Sequence, residues 1–162
     1  MARALIVGCG CRGRELGGRL IGDGWAVRGT TRNPASLALI EEAGIEAVLA
    51  DPDRAITVLE QIEGVSVVCW LLGGAAGEDE AVAALHGARL ERLLEELVDT
   101  PVRGITYEAA GSVRADCFER GREALEQARE RWRIPFALIE ADPADPEAWA
   151  GAAKGAVESV LR

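Results

Sequence analysis

The N-terminal segment at residues 4–13 reads ALIVGCGCRG and decides the fold class. Its first four residues form an apolar run typical of a buried strand, and the residues from 12 to about 21 have the composition of a helix. Between the two lies a turn with the spacing G-x-G-x-x-G. The glycines of that pattern are Gly8, Gly10 and Gly13.

A strand, a glycine-rich turn and a helix in this order predict a phosphate-binding turn. Gly8 permits a tight turn, Gly10 lets a pyrophosphate approach the backbone, and Gly13 lets the helix pack closely on the strand. The phosphates then lie at the positive end of the helix dipole. Dinucleotide binding is the favoured interpretation, and a turn kept only for packing is the alternative.

The end of the second predicted strand distinguishes NAD from NADP. An NAD site has an Asp or Glu there to hold the ribose hydroxyls, whereas this chain has Thr30, Thr31 and Arg32, with no acid before Glu41. Hydroxyls and a guanidinium suit the 2′-phosphate of NADP, which a carboxylate would repel. NADP is therefore predicted over NAD, and Arg12 is a second candidate for the same phosphate.

The rest of the chain alternates short apolar runs with longer amphipathic ones. Strands are predicted at about residues 4–7, 25–30, 45–50, 65–71, 102–107 and 134–139. Helices are predicted at about residues 12–21, 34–43, 51–62, 79–98, 116–132 and 145–161. This alternation predicts an α/β fold, a doubly wound parallel sheet with helices on both faces. Residues 1–162 are expected to form one domain.

Composition narrows the classes of partner. The net charge of −9 argues against a general nucleic-acid or anionic-membrane binder. No run approaches the roughly 18 apolar residues of a membrane span, and the apolar run before Cys9 is too short for a signal peptide. We expect a soluble, cytoplasmic protein.

The four cysteines and one histidine suggest no metal site and no disulfide framework. Cys9 and Cys11, beside a predicted helix N-terminus, are candidates for thiols with a lowered pKa, although reduced, unreactive thiols are the favoured interpretation. Cys69 is expected in the core. His86 is expected on a helix flank, at the surface or in an interface.

The motifs 7–13, 29–34, 50–51 and 69–74 together resemble the short-chain dehydrogenase/reductase superfamily, especially its extended and atypical branches. The resemblance implies a three-layer Rossmann fold with strand order 3-2-1-4-5-6 that binds NAD(P) at the carboxyl edge of the sheet. It also implies that residues 71–74 line the cofactor, while Asp51 is a candidate for the adenine or for a helix N-cap. The full set of cofactor candidates is Gly8, Gly10, Cys11, Arg12, Gly13, Thr30, Thr31, Arg32, Asp51, Leu71, Leu72 and Gly73.

The proton-transfer residues of that superfamily are missing. Its members use a Ser after the fifth strand and a Tyr-x-x-x-Lys on the next helix, but here the only tyrosine is Tyr107 and the only lysine is Lys154. The substrate-binding C-terminal lobe of the extended members is also absent from these 162 residues. Weak substitute candidates are Glu108, Tyr107 and Ser112, with Glu108 as a general acid or base, or simply as a loop carboxylate that caps a turn.

Three functions therefore stay open. The first is a non-catalytic NADP(H)-binding or regulatory module, the second an oxidoreductase with a substituted active site for a small-molecule substrate, and the third a domain that no longer binds cofactor. A homodimer is also expected, through helices 79–98 and 116–132, if apolar residues remain exposed after core packing. The residues concerned are Leu90, Leu94, Leu97 and Val98.

Overall fold

The computed structural model describes residues 2–162. Six parallel strands form one sheet in the order β3-β2-β1-β4-β5-β6, which confirms the predicted fold class and topology. The strands are β1 Arg3–Val7, β2 Ala26–Thr31, β3 Glu46–Leu49, β4 Val67–Trp70, β5 Gly104–Glu108 and β6 Phe136–Ile139. The helices are α1 Cys11–Gly22, α2 Leu37–Glu42, α3 Ala55–Leu59, α4 Asp79–His86, α5 Ala88–Leu97, α6 Ala115–Trp132 and α7 Pro146–Val160.

Alternate residues of each strand supply two separate cores, because successive side chains point to opposite faces of a sheet. On β1, Leu5 and Val7 pack into the core beneath α4, α5 and α6. Ala4 and Ile6 pack into the core beneath α1 and α7. The same alternation between the two faces of the sheet determines which side chains at the ends of the strands can contact one another.

Two predicted helices differ from the observed ones. The helix expected over residues 79–98 is divided at Gly87, whose φ of −120° and ψ of −104° lie outside the helical region. The helix expected from Asp51 is the single short helix α3, with Arg54 rather than Asp51 at its N-cap. Asp51 instead closes a turn, since its carboxylate accepts the backbone N–H of Asp53 at 2.9 Å.

The apolar surface expected to support a dimer is largely buried within the chain. Leu90, Leu94 and Leu97 are at most 3% exposed because α5 turns them toward the sheet and α6, and of the four named residues only Val98 is exposed, at 41%. The prediction that these leucines leave a free apolar face is wrong.

Candidate functional site

A cleft of about 380 Å³ opens at the carboxyl edge of the sheet, above β1, β2 and β4. It is in the volume range of small-molecule sites. The cofactor candidates that line it are Gly8, Gly10, Cys11, Arg12, Gly13, Thr30, Thr31, Arg32, Leu71 and Leu72. Two of the cofactor candidates, Asp51 and Gly73, are not among the lining residues, although the residues on either side of each of them are.

The turn between β1 and α1 is built as the glycine spacing predicts. Gly8 has φ +83°, and a Cβ there would lie 2.7 Å from the carbonyl oxygen of Leu71. At Gly13 a Cβ would lie 3.1 Å from Ile6, whereas at Gly10 it would have no neighbour within 4 Å. The backbone is therefore crowded by protein at both ends of the turn and open toward the cleft at its middle.

The N-terminus of α1 presents positive charge to this opening. Gly10 is the N-cap and has no side chain to bond the N–H groups of the first turn, which contains no acidic residue. Arg12 and Arg14, on that turn, both line the cleft. Backbone N–H groups at a helix N-terminus and arginines together favour an anionic ligand.

The end of β2 both holds the turn and lines the cleft. The hydroxyl of Thr30, 1% exposed, accepts the N–H of Gly8 at 3.3 Å, and the carbonyl of Thr30 accepts the N–H of Cys9 at 3.0 Å. Thr30 thereby fixes the turn. Arg32 is 59% exposed, and its nearest carboxylate is that of Asp53 at 3.8 Å, so its guanidinium is accessible from the cleft.

At the other end of the cleft, the polar groups are bonded to one another. The guanidinium of Arg12 donates through Nε and Nη2 to the two carboxylate oxygens of Glu108, at 2.8 and 3.1 Å. The N–H of Gly73 donates to the same carboxylate at 2.7 Å. Glu108 is completely buried, and Gly73 holds it in place while Gly74 lines the cleft.

The three catalytic candidates are not brought together. Tyr107 and Glu108 are successive residues of β5 and point to opposite faces of the sheet, so Tyr107 lies in the core under α4 and α6. Ser112 lines a second cavity of about 670 Å³, together with Arg12, Phe118 and Glu140. Tyr107 lines neither this cavity nor the cleft.

His86 is completely buried, so the expectation of a surface or interface position is wrong. Its Nε2 lies 3.0 Å from the carbonyl oxygen of Leu72, and its Nδ1 lies 2.5 Å from the hydroxyl of Tyr107. A carbonyl only accepts, so Nε2 carries the proton and Nδ1 accepts from Tyr107. Burial lowers the pKa of His86 and raises that of Tyr107. The signal for burial is present in the sequence, because position 86 shares a helix face with Val82.

Three of the four cysteines, Cys9, Cys69 and Cys117, are buried, and burial disfavours the charged thiolate. Burial raises the pKa of Cys9 to about 11 and that of Cys69 to about 12. At Cys9 the alternative of a lowered pKa is wrong and the favoured interpretation of an unreactive thiol agrees with the structure, because desolvation of the thiolate outweighs the attraction of Arg14. Cys69 lies in the core as expected, and Cys11 is exposed.

Solved structures share this fold at low sequence identity. A UDP-glucuronic acid 4-epimerase from Bacillus cereus, in complex with NAD, aligns over 86% of this chain with a TM-score of 0.66 and 14% identity. A short-chain dehydrogenase/reductase superfamily protein from Agrobacterium tumefaciens with bound NAD aligns over 84%, with a TM-score of 0.69 and 18% identity. A serine dehydrogenase from Escherichia coli aligns over 93%, with a TM-score of 0.71 and 17% identity.

These likenesses establish the fold that the chain shares with the short-chain dehydrogenases and epimerases. The chain spans 56% of the epimerase and 48% of the Agrobacterium protein, about half of each, but 88% of the serine dehydrogenase. No family model matches the sequence, and no curated protein matches it either. Within residues 2–162, no helix combines the length and apolar character required to cross a bilayer.

Proposed function

Because a Rossmann sheet of this kind carries the glycine turn, we propose that residues 1–162 form a single dinucleotide-binding domain whose ligand is NADP(H). The observation that carries the proposal is the open backbone at Gly10, at the uncapped N-terminus of α1 and in the wall of the cleft. A pyrophosphate is the ligand group that such a turn accommodates. We propose that the protein is a binding or regulatory module of the short-chain dehydrogenase type.

The preference for NADP over NAD rests on the end of β2. Thr31 and Arg32 line the cleft where an NAD site would place a carboxylate, and the accessible guanidinium of Arg32 suits a 2′-phosphate. The nearby carboxylate of Asp53 reduces but does not cancel this charge, because Asp53 also pairs with Arg89 at 3.2 Å.

The test is the affinity for NADPH and NADH, measured by ligand fluorescence on the wild type and on Arg32→Ala. We expect the wild type to prefer NADPH, and Arg32→Ala to weaken NADPH binding about tenfold while NADH binding stays unchanged. Arg92→Ala is the matched control, because Arg92 is 62% exposed and pairs with Glu96 on α5, outside the cleft. Saturable NADPH binding that Arg32→Ala leaves unchanged would contradict the NADP site.

A second candidate function is that of an oxidoreductase with a substituted active site. The observation that favours it is the position of Glu108, a buried carboxylate in the wall of the cleft, next to a second cavity large enough for a small-molecule substrate. Oxidation of NADPH with small carbonyls or quinones would indicate an enzyme. That activity should be lost in Glu108→Ala if Glu108 carries the proton.

The homodimer and the cytoplasmic location also stay predictions. Because Leu90, Leu94 and Leu97 are buried, a dimer through helices 79–98 and 116–132 would have to be formed mainly by the polar surface of these helices and Val98. Light scattering at micromolar concentration tests it, and a single species of the 17.2 kDa chain would exclude it.

A further inference from the structure

Two arginines share one carboxylate at the edge of the cleft. The carboxylate of Asp53 accepts a hydrogen bond from Nε of Arg89 at 3.2 Å, and it lies 3.8 Å from Nη1 of Arg32. Arg32 lines the cleft, whereas Asp53 and Arg89 are not among the lining residues. Asp53 is therefore hydrogen-bonded to the arginine outside the cleft and only close to the arginine inside it.

The three residues come from three different elements. Arg32 follows β2, Asp53 lies between β3 and α3, and Arg89 is in the first turn of α5. They meet because β3 is the neighbour of β2 in the sheet and because α3 packs against α5. The arrangement therefore belongs to the fold and is not a contact within one flexible loop.

The backbone around Asp53 is held in place, so the choice of partner falls to its side chain. The N–H of Asp53 donates to the carboxylate of Asp51 at 2.9 Å, and the N–H of Asp51 donates to the hydroxyl of Thr57 at 2.8 Å. The carboxylate of Asp53 is itself 31% exposed. A rotation of this side chain is enough to exchange one guanidinium for the other.

Arg89 thus controls how much positive charge Arg32 presents to the cleft. A carboxylate a few ångströms from a guanidinium attracts it and repels an approaching phosphate. While Asp53 donates its lone pairs to Arg89, that carboxylate is largely neutralised. Of the ion pairs that Asp53 makes within residues 2–162, the one with Arg32 would remain if Arg89 were removed.

We propose that Arg89 determines the preference for NADPH over NADH by binding Asp53 and so keeping its carboxylate away from Arg32. This inference rests on the proposed function, in which Arg32 binds the 2′-phosphate. Arg89 is a positioning residue, since it acts on the ligand only through Asp53. Its effect is confined to the ligand that carries the 2′-phosphate, because NADH offers Arg32 no phosphate at that position.

The experiment is a double-mutant cycle of Arg89→Ala and Asp53→Asn. Dissociation constants for NADPH and NADH are measured by ligand fluorescence at low ionic strength, where exposed charges are least screened. Arg89→Ala should weaken NADPH binding about fivefold, the size expected for one exposed charge pair, and should leave NADH binding within about twofold of the wild type.

The other two proteins of the cycle test the route through Asp53. Asp53→Asn should tighten NADPH binding about threefold, because it removes a carboxylate beside the 2′-phosphate. In the double variant the loss caused by Arg89→Ala should disappear, with an NADPH affinity within about twofold of that of Asp53→Asn. A merely structural role of Arg89 would not be suppressed by Asp53→Asn and would not separate NADPH from NADH.

Arg92→Ala is the matched control for the loss of one positive charge from α5. Arg92 also pairs with a carboxylate, that of Glu96 at 2.8 Å, but it lies outside the cleft. This variant should bind both ligands like the wild type. Arg89 and Arg92 are both exposed, with 47% and 62% of their side chains accessible, so both variants should fold.

The outcomes separate this inference from the proposed function. Wild-type NADPH binding by Arg89→Ala, or equal losses for NADPH and NADH, overturns the role of Arg89 and leaves the NADP(H) site standing. A loss that persists in the double variant overturns the route through Asp53. An absence of NADPH binding in the wild type, or NADPH binding that Arg32→Ala does not weaken, overturns the proposed NADP site and this inference together.

Discussion

At the ends of β1 and β2 the cleft presents an open turn, helix N–H groups and an exposed guanidinium, whereas at the ends of β4 and β5 its polar groups bond one another. Gly10 and Arg32 represent the first region. The Arg12–Glu108 pair and the N–H of Gly73 represent the second. The first, which we call the open region, has hydrogen-bonding groups that are free to bind a ligand. In the second, the closed region, these groups are already bonded within the protein.

Substitutions in the two regions should therefore have different effects, on ligand binding in the first and on stability in the second. In the open region, substitutions at Gly10 or Arg32 should change what the cleft can bind with little effect on folding, because no protein atom fills the space beside Gly10 and the side chain of Arg32 is exposed. In the closed region the ion pair between Arg12 and Glu108 contributes to stability. Glu108 is buried, and removing the partner of a buried charge is strongly destabilising. Substitutions can therefore distinguish binding from stability.

The largest expected effect is on stability, in Arg12→Met. This change leaves Glu108 buried without a counter-charge and should lower the free energy of unfolding by about 3 kcal/mol, measured by urea denaturation. The double variant with Glu108→Gln should recover most of that loss. Arg32→Met, at an exposed position, should change stability by less than about 0.5 kcal/mol. Equal losses in Arg12→Met and Arg32→Met would remove the distinction between the two regions.

The next effect is on binding, in Gly10→Asp. The new side chain enters open space, so the fold should tolerate it, but its carboxylate would stand where the proposed dinucleotide places its phosphates. NADPH affinity should fall about 100-fold, measured by ligand fluorescence. Gly18→Asp, at an exposed position of α1 with no atom within 4 Å of its Cβ position, should bind like the wild type. Wild-type binding by Gly10→Asp would show that the ligand does not use this turn.

The open region could be predicted from the sequence because its signals are local. The glycine spacing at residues 8–13 and the apolar alternation of the strands act within a few residues, and both correctly predicted the turn and the parallel sheet. Thr31 and Arg32 lie in the cleft because they stand at the carboxyl end of β2, and the end of a single strand can be recognised from a few neighbouring residues.

The closed region could not be predicted in the same way because it is made by distant residues. Glu108 and Arg12 are 96 positions apart, and His86 and Tyr107 are 21 apart. No local pattern carries such a pairing. The break at Gly87 is not predicted for a different reason: the periodic apolar pattern of the helix continues across it while the backbone leaves the helical region.

The smallest expected effect is the pH dependence of stability from His86. Its pKa in the folded protein is lowered from 6.5, so below about pH 6.5 the unfolded chain binds a proton that the folded chain does not. The free energy of unfolding, measured in urea, should therefore decrease by about 1 kcal/mol as the pH is lowered from 7 to 5.5. His86 is the only histidine, so in His86→Gln this decline should disappear while the titration of carboxylates at lower pH remains. Parallel profiles for the two proteins would show that the buried histidine is not held neutral, and that this part of the closed region is less tightly bonded than its distances indicate.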